Sequence, residues 1–436
     1  MKNKNLFQKI AFPSLIGAIL LFSAVPAIFS QSAMPAPKQE KLLNGLKVLM
    51  WSDAKADKVT VKIRINSGSA FDRQGKEGVM QLLADNLFPN QASRDFFAED
   101  LGGGLDIVTN YDYIQINASS KPEGFLSMLE TLATAVSNTA IDKETTLKLR
   151  NALLAKLKIK ESDPAYVADQ AVAKRLLGTF PYGRPQMGST ASVQKIDFAD
   201  LIDAKQRFLT ADNAAIAISG NYDKALGFKA VRRYFGGWLK ADKRVPPTFR
   251  QPDEPDSALL KVEFPNLEKT YSRSAMVAPS RSDKDYYAMQ ILTKIWKDKF
   301  PYSDTEESEC GKNSYQANLL RGIYQVRLVQ NPGGSTFSRR ICDLPSVGSY
   351  AYPEFKPADF EKAAAKSISE FNDSLHTTAG LADLWLDVDT YKLTSVDGEI
   401  RKINGVTLAD VVQLAEHMNK VRTVSVLVAT TPKASL

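Results

Sequence analysis

The sequence predicts an α+β fold of two homologous domains, each a mostly antiparallel sheet covered by helices. The chain has 436 residues, which is too long for one ordinary core and suits two domains of about 200 residues each. Strand and helix patterns of apolar residues recur in both halves. The segments FADLIDAKQRF (198–208) and LADVVQLAEHM (408–418) also align without a gap, and a predicted strand follows each at the same distance. Duplication of one unit explains this repeat.

The predicted domain boundaries follow the composition. Residues 34–240 are expected to form the N-terminal domain and residues 259–436 the C-terminal domain. Residues 241–258 between them carry prolines among charged side chains, which indicates an extended linker. Residues 1–33 are set apart as a signal peptide.

The first 33 residues have the pattern of a secretory signal. Lys2, Lys4 and Lys9 precede an apolar run over 10–29, and small residues follow it. A membrane anchor is the alternative, because the run approaches spanning length, but prolines and a glycine interrupt it. Removal takes away three lysines and no acid, so the formal charge falls from +7 to +4. We therefore expect a periplasmic or secreted protein.

The remaining charge excludes one class of function and leaves the cysteines open. The basic residues are spread along the chain and do not cluster with aromatic residues, so no nucleic-acid partner is predicted. No membrane contact beyond the export signal is predicted either. The two cysteines, Cys310 and Cys342, could pair in an exported protein or could be small buried residues.

The first half shows alternating strands and amphipathic helices in sequence order. In the strand at 59–65, valines and isoleucines alternate with Thr60, Lys62 and Arg64, which predicts one apolar and one polar face. The glycines at 102–104 predict a tight turn and lack the lysine and spacing of a phosphate loop. The predicted elements of this half are strands at 45–51, 59–65, 111–119 and 214–219, and helices at 77–88, near 125–136, near 149–157, at 165–177 and at 197–208.

The helix Glu77–Phe88, EGVMQLLADNLF, is the central element of the first half. Its apolar residues recur at helical spacing and predict a core-facing stripe. Gln81 and Asp85 are four residues apart, so they project from the same side of the helix. A metallopeptidase uses this spacing to place two imidazoles on one zinc ion, but neither residue is histidine. A packing helix with a solvated polar face is the alternative interpretation.

These segments resemble a known family. The runs LNGLKVLMW (43–51) and VTVKIRINSGSAFDRQGKEGVMQLLADNLF (59–88) are similar to the opening of the insulinase/pitrilysin zinc metallopeptidases, the inverzincins, in which such a helix carries H-x-x-E-H. The loop FPYGRP (180–185) and the helix and strand after it resemble the same family. The resemblance therefore extends over residues 42–240. It implies paired domains that form a half-shell.

The resemblance implies that every catalytic part is replaced. The first zinc histidine falls on Gln81, the general-base glutamate on Ala84 and the second histidine on Asp85. The third ligand, a glutamate on a later helix, falls on Lys156. A glutamine is a poor zinc ligand, an alanine cannot move a proton and a lysine repels the metal. We therefore expect no catalytic residue, no metal ligand and no cofactor in this chain, with zinc only in a partner subunit.

The second half begins again with strands near 260–264 and 271–278 and a helix that opens at Ser282. The resemblance implies a tyrosine and an arginine, seven residues apart, that hold the substrate from this domain. Tyr315 matches the tyrosine and is the candidate substrate-binding residue. The arginine would fall on Ser308 or Glu309, so the guanidinium is absent. A core aromatic is the alternative role for Tyr315.

The leading prediction is an exported, catalytically inactive homologue of these peptidases. The resemblance implies a catalytic homologue as partner, so that two half-shells close around an extended peptide and this chain is the non-catalytic subunit of a peptide-degrading or processing heterodimer. The alternative is a stand-alone peptide-binding or structural homodimer, and a third possibility is a peptidase with unrecognised activity. We also expect each sheet to be covered by helices on one face only, with the other face polar and open to peptide.

Overall fold

The computed structural model describes residues 36–299, except 242 and 244, together with 312–330 and 354–430. The predicted signal peptide and both cysteines lie outside the described residues, so export and the disulfide stay predictions. The domain boundaries also stay a prediction. No helix within the described ranges combines the length and the apolar character needed to cross a membrane.

The first sheet has six strands in the spatial order β1-β2-β6-β3-β5-β4. β2 and β6 are parallel, and the other neighbours are antiparallel. All residues of β3 and β6 are buried, which agrees with their central positions. The strands are β1 (Lys38–Lys41), β2 (Lys47–Ser52), β3 (Val59–Ile65), β4 (Gly104–Thr109), β5 (Ile114–Ser120) and β6 (Ala214–Gly220).

The second sheet repeats this arrangement with five strands in the order β7-β11-β8-β10-β9. β11 is parallel to β7 and antiparallel to β8, as β6 is to β2 and β3. The predicted two-domain α+β fold and the internal duplication are therefore confirmed. The strands are β7 (Leu260–Glu263), β8 (Thr270–Ala278), β9 (Lys312–Ala317), β10 (Gly322–Gln330) and β11 (Val424–Ala429).

The helices cover the sheets with their apolar stripes. In the first half they are α1 (Val79–Leu87), α2 (Gln91–Asp95), α3 (Phe125–Ser137), α4 (Lys143–Glu161), α5 (Pro164–Leu177), α6 (Thr190–Val193), α7 (Phe198–Phe208) and α8 (Lys224–Phe235). In the second half they are α9 (Tyr286–Lys299), α10 (Pro357–Leu375), α11 (Thr378–Thr390), α12 (Val396–Asn404) and α13 (Leu408–Met418). The repeated helices α7 and α13 both begin with a capping box, formed at Asp197 and Thr407 respectively.

Each sheet is also covered on its other face by a helix from the opposite half of the chain. α11 packs on β3 and β6, and α5 packs on β8 and β11. Next to β11 the face that α5 covers is apolar, because Val172 and Leu176 join a cluster with the valines of β11. Toward β10 it is charged, and Asp169 of α5 pairs there with arginines of the sheet. The expectation of an open polar face is therefore wrong for both sheets. A sheet with two apolar or charge-complementary faces is more stable when both are covered.

The polar face of β3 is buried against carboxylates of α11. Thr60, Lys62 and Arg64 are 8%, 7% and 2% exposed. The Nζ of Lys62 bonds the Oδ2 of Asp383 at 2.5 Å, and the Nη1 of Arg64 bonds the Oδ1 of Asp387 at 2.7 Å. Burial lowers the pKa of Arg64, but the charge of Asp387, its hydrogen bond to Arg64 and the nearby tyrosines together outweigh burial, so the net pKa lies above the ordinary value. The alternation along β3 therefore encodes an ion-paired helix contact.

Candidate functional site

The start of α1 is fixed by a carboxylate that precedes it. Asp72 is buried, and its Oδ2 and Oδ1 accept hydrogen bonds from the backbone N–H groups of Gly78 and Met80, each at 2.8 Å. Gly78 has a φ of 108°, a backbone conformation that favours glycine. The guanidinium of Arg184, from the FPYGRP loop, donates to the carbonyl oxygens of Asp72 and Ala70 at 2.8 and 3.0 Å. The loop and the motif helix therefore hold each other in place.

Asp72 makes stability depend on pH. Burial raises the pKa of its carboxyl from 3.8 to about 7, against its two backbone hydrogen bonds and the charge of Arg184. The folded protein thus holds this proton more tightly than the unfolded chain does. The stability that the protonated Asp72 contributes is therefore complete below pH 3.8 and is lost as pH rises through about 7. We expect the free energy of unfolding to fall over this window, by at most about 1.4 kcal/mol per pH unit for one proton.

The measurement is urea unfolding of the wild type and of Asp72→Asn at several pH values between 4 and 8. Asparagine resembles the protonated carboxyl in charge, so the variant should show a smaller pH slope than the wild type. The same slope in both proteins would contradict the role of Asp72. Other titrating groups act equally in both, so the difference isolates this residue.

The degenerate motif positions lie together on α1 and α4. The Nε2 of Gln81 donates to the Oδ1 of Asp85 at 2.9 Å, which confirms that they share one side of the helix. Ala84 is buried in the core at 1% exposure. Burial raises the pKa of Asp85, while Gln81 and then the charge of Lys156 oppose the rise. The structure thus brings Lys156 near Asp85, where the resemblance puts the third ligand.

This donor set does not fit the zinc ion that the fold implies. The amide of Gln81 is already bonded to Asp85, and Lys156, which the resemblance puts at the third ligand, is a cation where an anionic ligand is needed. Within the described ranges no three histidine, cysteine or acidic side chains form a group that could hold a metal. His376 and His417 lie on other elements, at the end of α10 and near the end of α13. We derive no metal-dependent step at this site, and the absence of zinc stays a prediction.

Tyr315 lies on β9, and its side chain packs toward α9. Its hydroxyl donates to the carbonyl oxygen of Pro279 at 2.7 Å, and its ring lies 6.1 Å from that of Tyr286. Burial raises the pKa of this hydroxyl above its usual range. The hydroxyl is therefore engaged within the domain. The predicted contact with substrate stays a prediction, and Ser308 and Glu309 lie outside the described residues.

A second contact of the FPYGRP loop joins the two halves, and the sequence did not indicate it. The hydroxyl of Tyr182 donates to the Oδ1 of Asp112 and accepts from the backbone N–H of Leu320 at 3.1 Å. The Oδ2 of Asp112 accepts from the N–H of Leu319 at 2.8 Å. Burial raises the pKa of Asp112 to about 6. The loop after α5 thus connects the first sheet to the β9–β10 turn.

Comparison with known proteins agrees with this geometry. Residues 47–190 match the family model described as Insulinase (Peptidase family M16), and residues 195–373 match the model described as Peptidase M16 inactive domain. The fold and the motif helix define an M16 peptidase-like protein. The chain belongs to the insulinase family, peptidase family M16, which confirms the resemblance. The replaced ligand positions lie within the first match, and the description "inactive" applies to the second.

Three similar proteins illustrate the relationship. An uncharacterized zinc protease of Rickettsia bellii is 21% identical over 47% of this chain and 50% of that protein, so the chain spans about half the length of this relative. A mitochondrial cytochrome b-c1 complex reductase subunit of Candida albicans is 21% identical over 78% of this chain and 73% of that protein. The crystal structure of a protease from Helicobacter pylori has a TM-score of 0.79 at 16% identity, covering 90% of this chain and 100% of that one. This last likeness shows the fold alone.

Proposed function

We propose that this chain is an exported, catalytically inactive M16 homologue that acts as the non-catalytic subunit of a peptide-degrading or processing heterodimer. The observation that carries the proposal is the bonded pair Gln81 and Asp85 on α1, with the helix that carries Lys156, α4, packed against α1. At the positions that the resemblance gives to the zinc ligands, these side chains offer no ligand set for the metal. The zinc ion and the general base are then supplied by a catalytic homologue.

A role as a subunit has support from the relatives. The Candida albicans protein is named as a subunit of a larger complex, and it aligns over most of both chains. The family match covers both halves, so this chain retains the paired domains of the family. A chain that keeps this architecture without the ligands is suited to form one wall of a shared chamber.

The exposed strand edges are the docking places that the fold offers to an extended peptide. Because helices cover both faces of each sheet, backbone groups are accessible only at the edges. β4 ends the first sheet next to α1, and β9 ends the second, each with one strand neighbour among the described residues. A peptide can add to such an edge through backbone hydrogen bonds. A second half-shell would exclude water from this edge and add contacts, which raises affinity in the assembled state.

The assembly experiment mixes the mature chain with a same-fold protein that carries an intact H-x-x-E-H helix. We expect a one-to-one complex on size exclusion with light scattering, since each half-shell covers the other. The chain alone is the control. Separate elution of the two proteins, with this chain eluting as a homodimer, would refute the heterodimer and favour a stand-alone peptide binder.

A further inference from the structure

A cavity of about 280 Å³, with a mixed polar and apolar lining, lies between α5 and the second sheet. One wall is formed by α5 and the end of α4, which contribute Asp169 and Lys160. The other wall is formed by β9 and β10, which contribute Ser314, Gln325 and Arg327. The motif positions and the role proposed for them do not involve these side chains. The cavity is a separate place in the same chain.

Three cations stand in one row across the strands of the second sheet, and one of them, Arg327, lines the cavity. In the register of the sheet, Arg327 of β10 lies opposite Arg273 of β8 on one side and opposite Lys312 of β9 on the other. Side chains directly opposite each other point to the same face, and like charges in such pairs destabilise a sheet. The row therefore needs anions from the element packed against it, which is α5.

One carboxylate of α5 lies against this row. The Oδ1 of Asp169 accepts from the Nε of Arg273, from the Nε of Arg327 at 3.1 Å and from the Nε2 of Gln325 at 2.8 Å. Arg273 is 2% exposed and also donates to carbonyl oxygens, so its guanidinium is committed to the fold. One negative charge thus meets two guanidiniums. The row keeps a positive surplus.

Arg327 is the arginine of this row that lines the cavity. Its side chain is 38% exposed, its Nη1 reaches only the Oγ of Ser314 at 3.4 Å, and its Nη2 makes no hydrogen bond within the described part of the chain. Lys160 stands on the facing wall, with its Nζ 5.3 Å from the centre of the Tyr166 ring. Two cations therefore line this cavity of mixed polar and apolar surface. A guanidinium fork matches a planar carboxylate through paired N–H donors.

We propose that this cavity binds a carboxylate of a peptide, with Arg327 as the recognising fork and Lys160 as the second cation. The carboxylate can come from the C-terminus or from an acidic side chain. The ligand class rests on the proposed role in peptide binding. The cavity itself is built within one chain, so short peptides should bind without the partner subunit.

The test uses the purified mature chain and three short peptides in calorimetric titrations. The peptides are acetyl-Ala-Ala-Ala as the free acid, the same peptide as its C-terminal amide, and acetyl-Ala-Asp-Ala amide. We expect the free acid to bind saturably and its amide to bind at least about tenfold more weakly. Binding of the aspartyl peptide would identify an acidic side chain as a further source of the carboxylate, and its failure to bind would restrict the site to the C-terminus.

Variants connect the binding to the cavity. Arg327→Gln and Lys160→Gln should each abolish most of the preference for the free acid over the amide. The control is Lys158→Gln, which should leave this preference unchanged, because Lys158 is exposed on α4, the helix of Lys160, and does not line the cavity. Arg327→Gln should fold, because Arg273 and Gln325 still hold Asp169. A thermal melt by circular dichroism checks this.

Two results would overturn the inference as a whole, and a third would overturn its ligand. One is equal affinity for the acid and the amide, and the other is an acid preference that survives Arg327→Gln. Binding of inorganic phosphate in place of the peptide acid would overturn the carboxylate assignment. Assembly with a zinc-bearing homologue is a separate readout, so failure of the cavity and failure of the heterodimer can be told apart.

Discussion

Replacing Asp387 with alanine is expected to lower the free energy of unfolding by about 1.5–3 kcal/mol. Asp387 lies on α11, in the second half, and its Oδ1 pairs with Arg64 of the first sheet at 2.7 Å. Its Oδ2 lies 3.9 Å from the Nε of Arg281. Both arginines are buried, at 2% and 6% side-chain exposure. Removal of the carboxylate leaves the buried guanidinium of Arg64 with only the more distant Asp383, at 3.8 Å, as counter-ion, while Arg281 keeps Glu399 at 2.8 Å. The lost charged hydrogen bond to Arg64 costs more than an exposed pair contributes.

The measurement is urea unfolding of Asp387→Ala beside Asp253→Ala. Asp253 also pairs with an arginine, Arg250, but both side chains are almost fully exposed, so its loss should be close to undetectable. A double variant, Arg64→Met with Asp387→Leu, should recover much of the lost stability, because it removes both buried charges together. Equal stability losses for the two alanine variants would contradict the importance of the buried pair.

Introducing the four residues of the family motif should create a zinc site in this chain. In the variant Gln81→His, Ala84→Glu, Asp85→His and Lys156→Glu, two imidazoles one turn apart meet a carboxylate from α4. Three ligands of this kind make a catalytic zinc site with one open position. We expect elemental analysis to find about one zinc per chain in the variant and none in the wild type.

The matched control is the double variant Gln81→His with Asp85→His, which keeps Lys156. It should bind zinc much more weakly, because two ligands leave the ion under-coordinated and the nearby ammonium repels it. Tight binding by the double variant would show that Lys156 does not occupy the third-ligand position. One zinc per wild-type chain, with peptidase activity that a chelator removes, would contradict the inactive assignment.

The sequence predicted the duplicated architecture because periodic patterns determine it. The repeated helix and strand pairs at 198–219 and 408–429 occupy equivalent places in two sheets of the same order. Two edge strands, β1 and β4, were not predicted. β4 has only six residues, directly follows the glycine turn and is half exposed, so its alternation was not distinguished from a loop. β1 has four residues and is mostly charged.

The interactions that position the site depend on tertiary contacts. A strand with Lys62 and Arg64 on one face shows the same alternation whether water or an acidic helix lies opposite. The packing of α11 on the first sheet and of α5 on the second was therefore not predictable from the strand pattern. The i, i+4 spacing of Gln81 and Asp85 was predictable, because local geometry determines it. The hydrogen bonds from Gly78 and Met80 to Asp72 form only because the chain between residues 72 and 78 turns back on itself, and the sequence does not show that turn. The row of cations at Arg327 depends on the strand register, which the sequence does not show either.

The rate at which a zinc-bearing M16 homologue cleaves an unfolded peptide, with and without this chain, tests the central claim most directly. If this chain is the second wall of the chamber, the rate should rise by about tenfold or more when it is added in equal amount, because a closed chamber adds contacts to the bound peptide. The wild-type chain alone should cleave nothing. Equal cleavage rates with and without this chain, together with separate elution of the two proteins, would contradict the account.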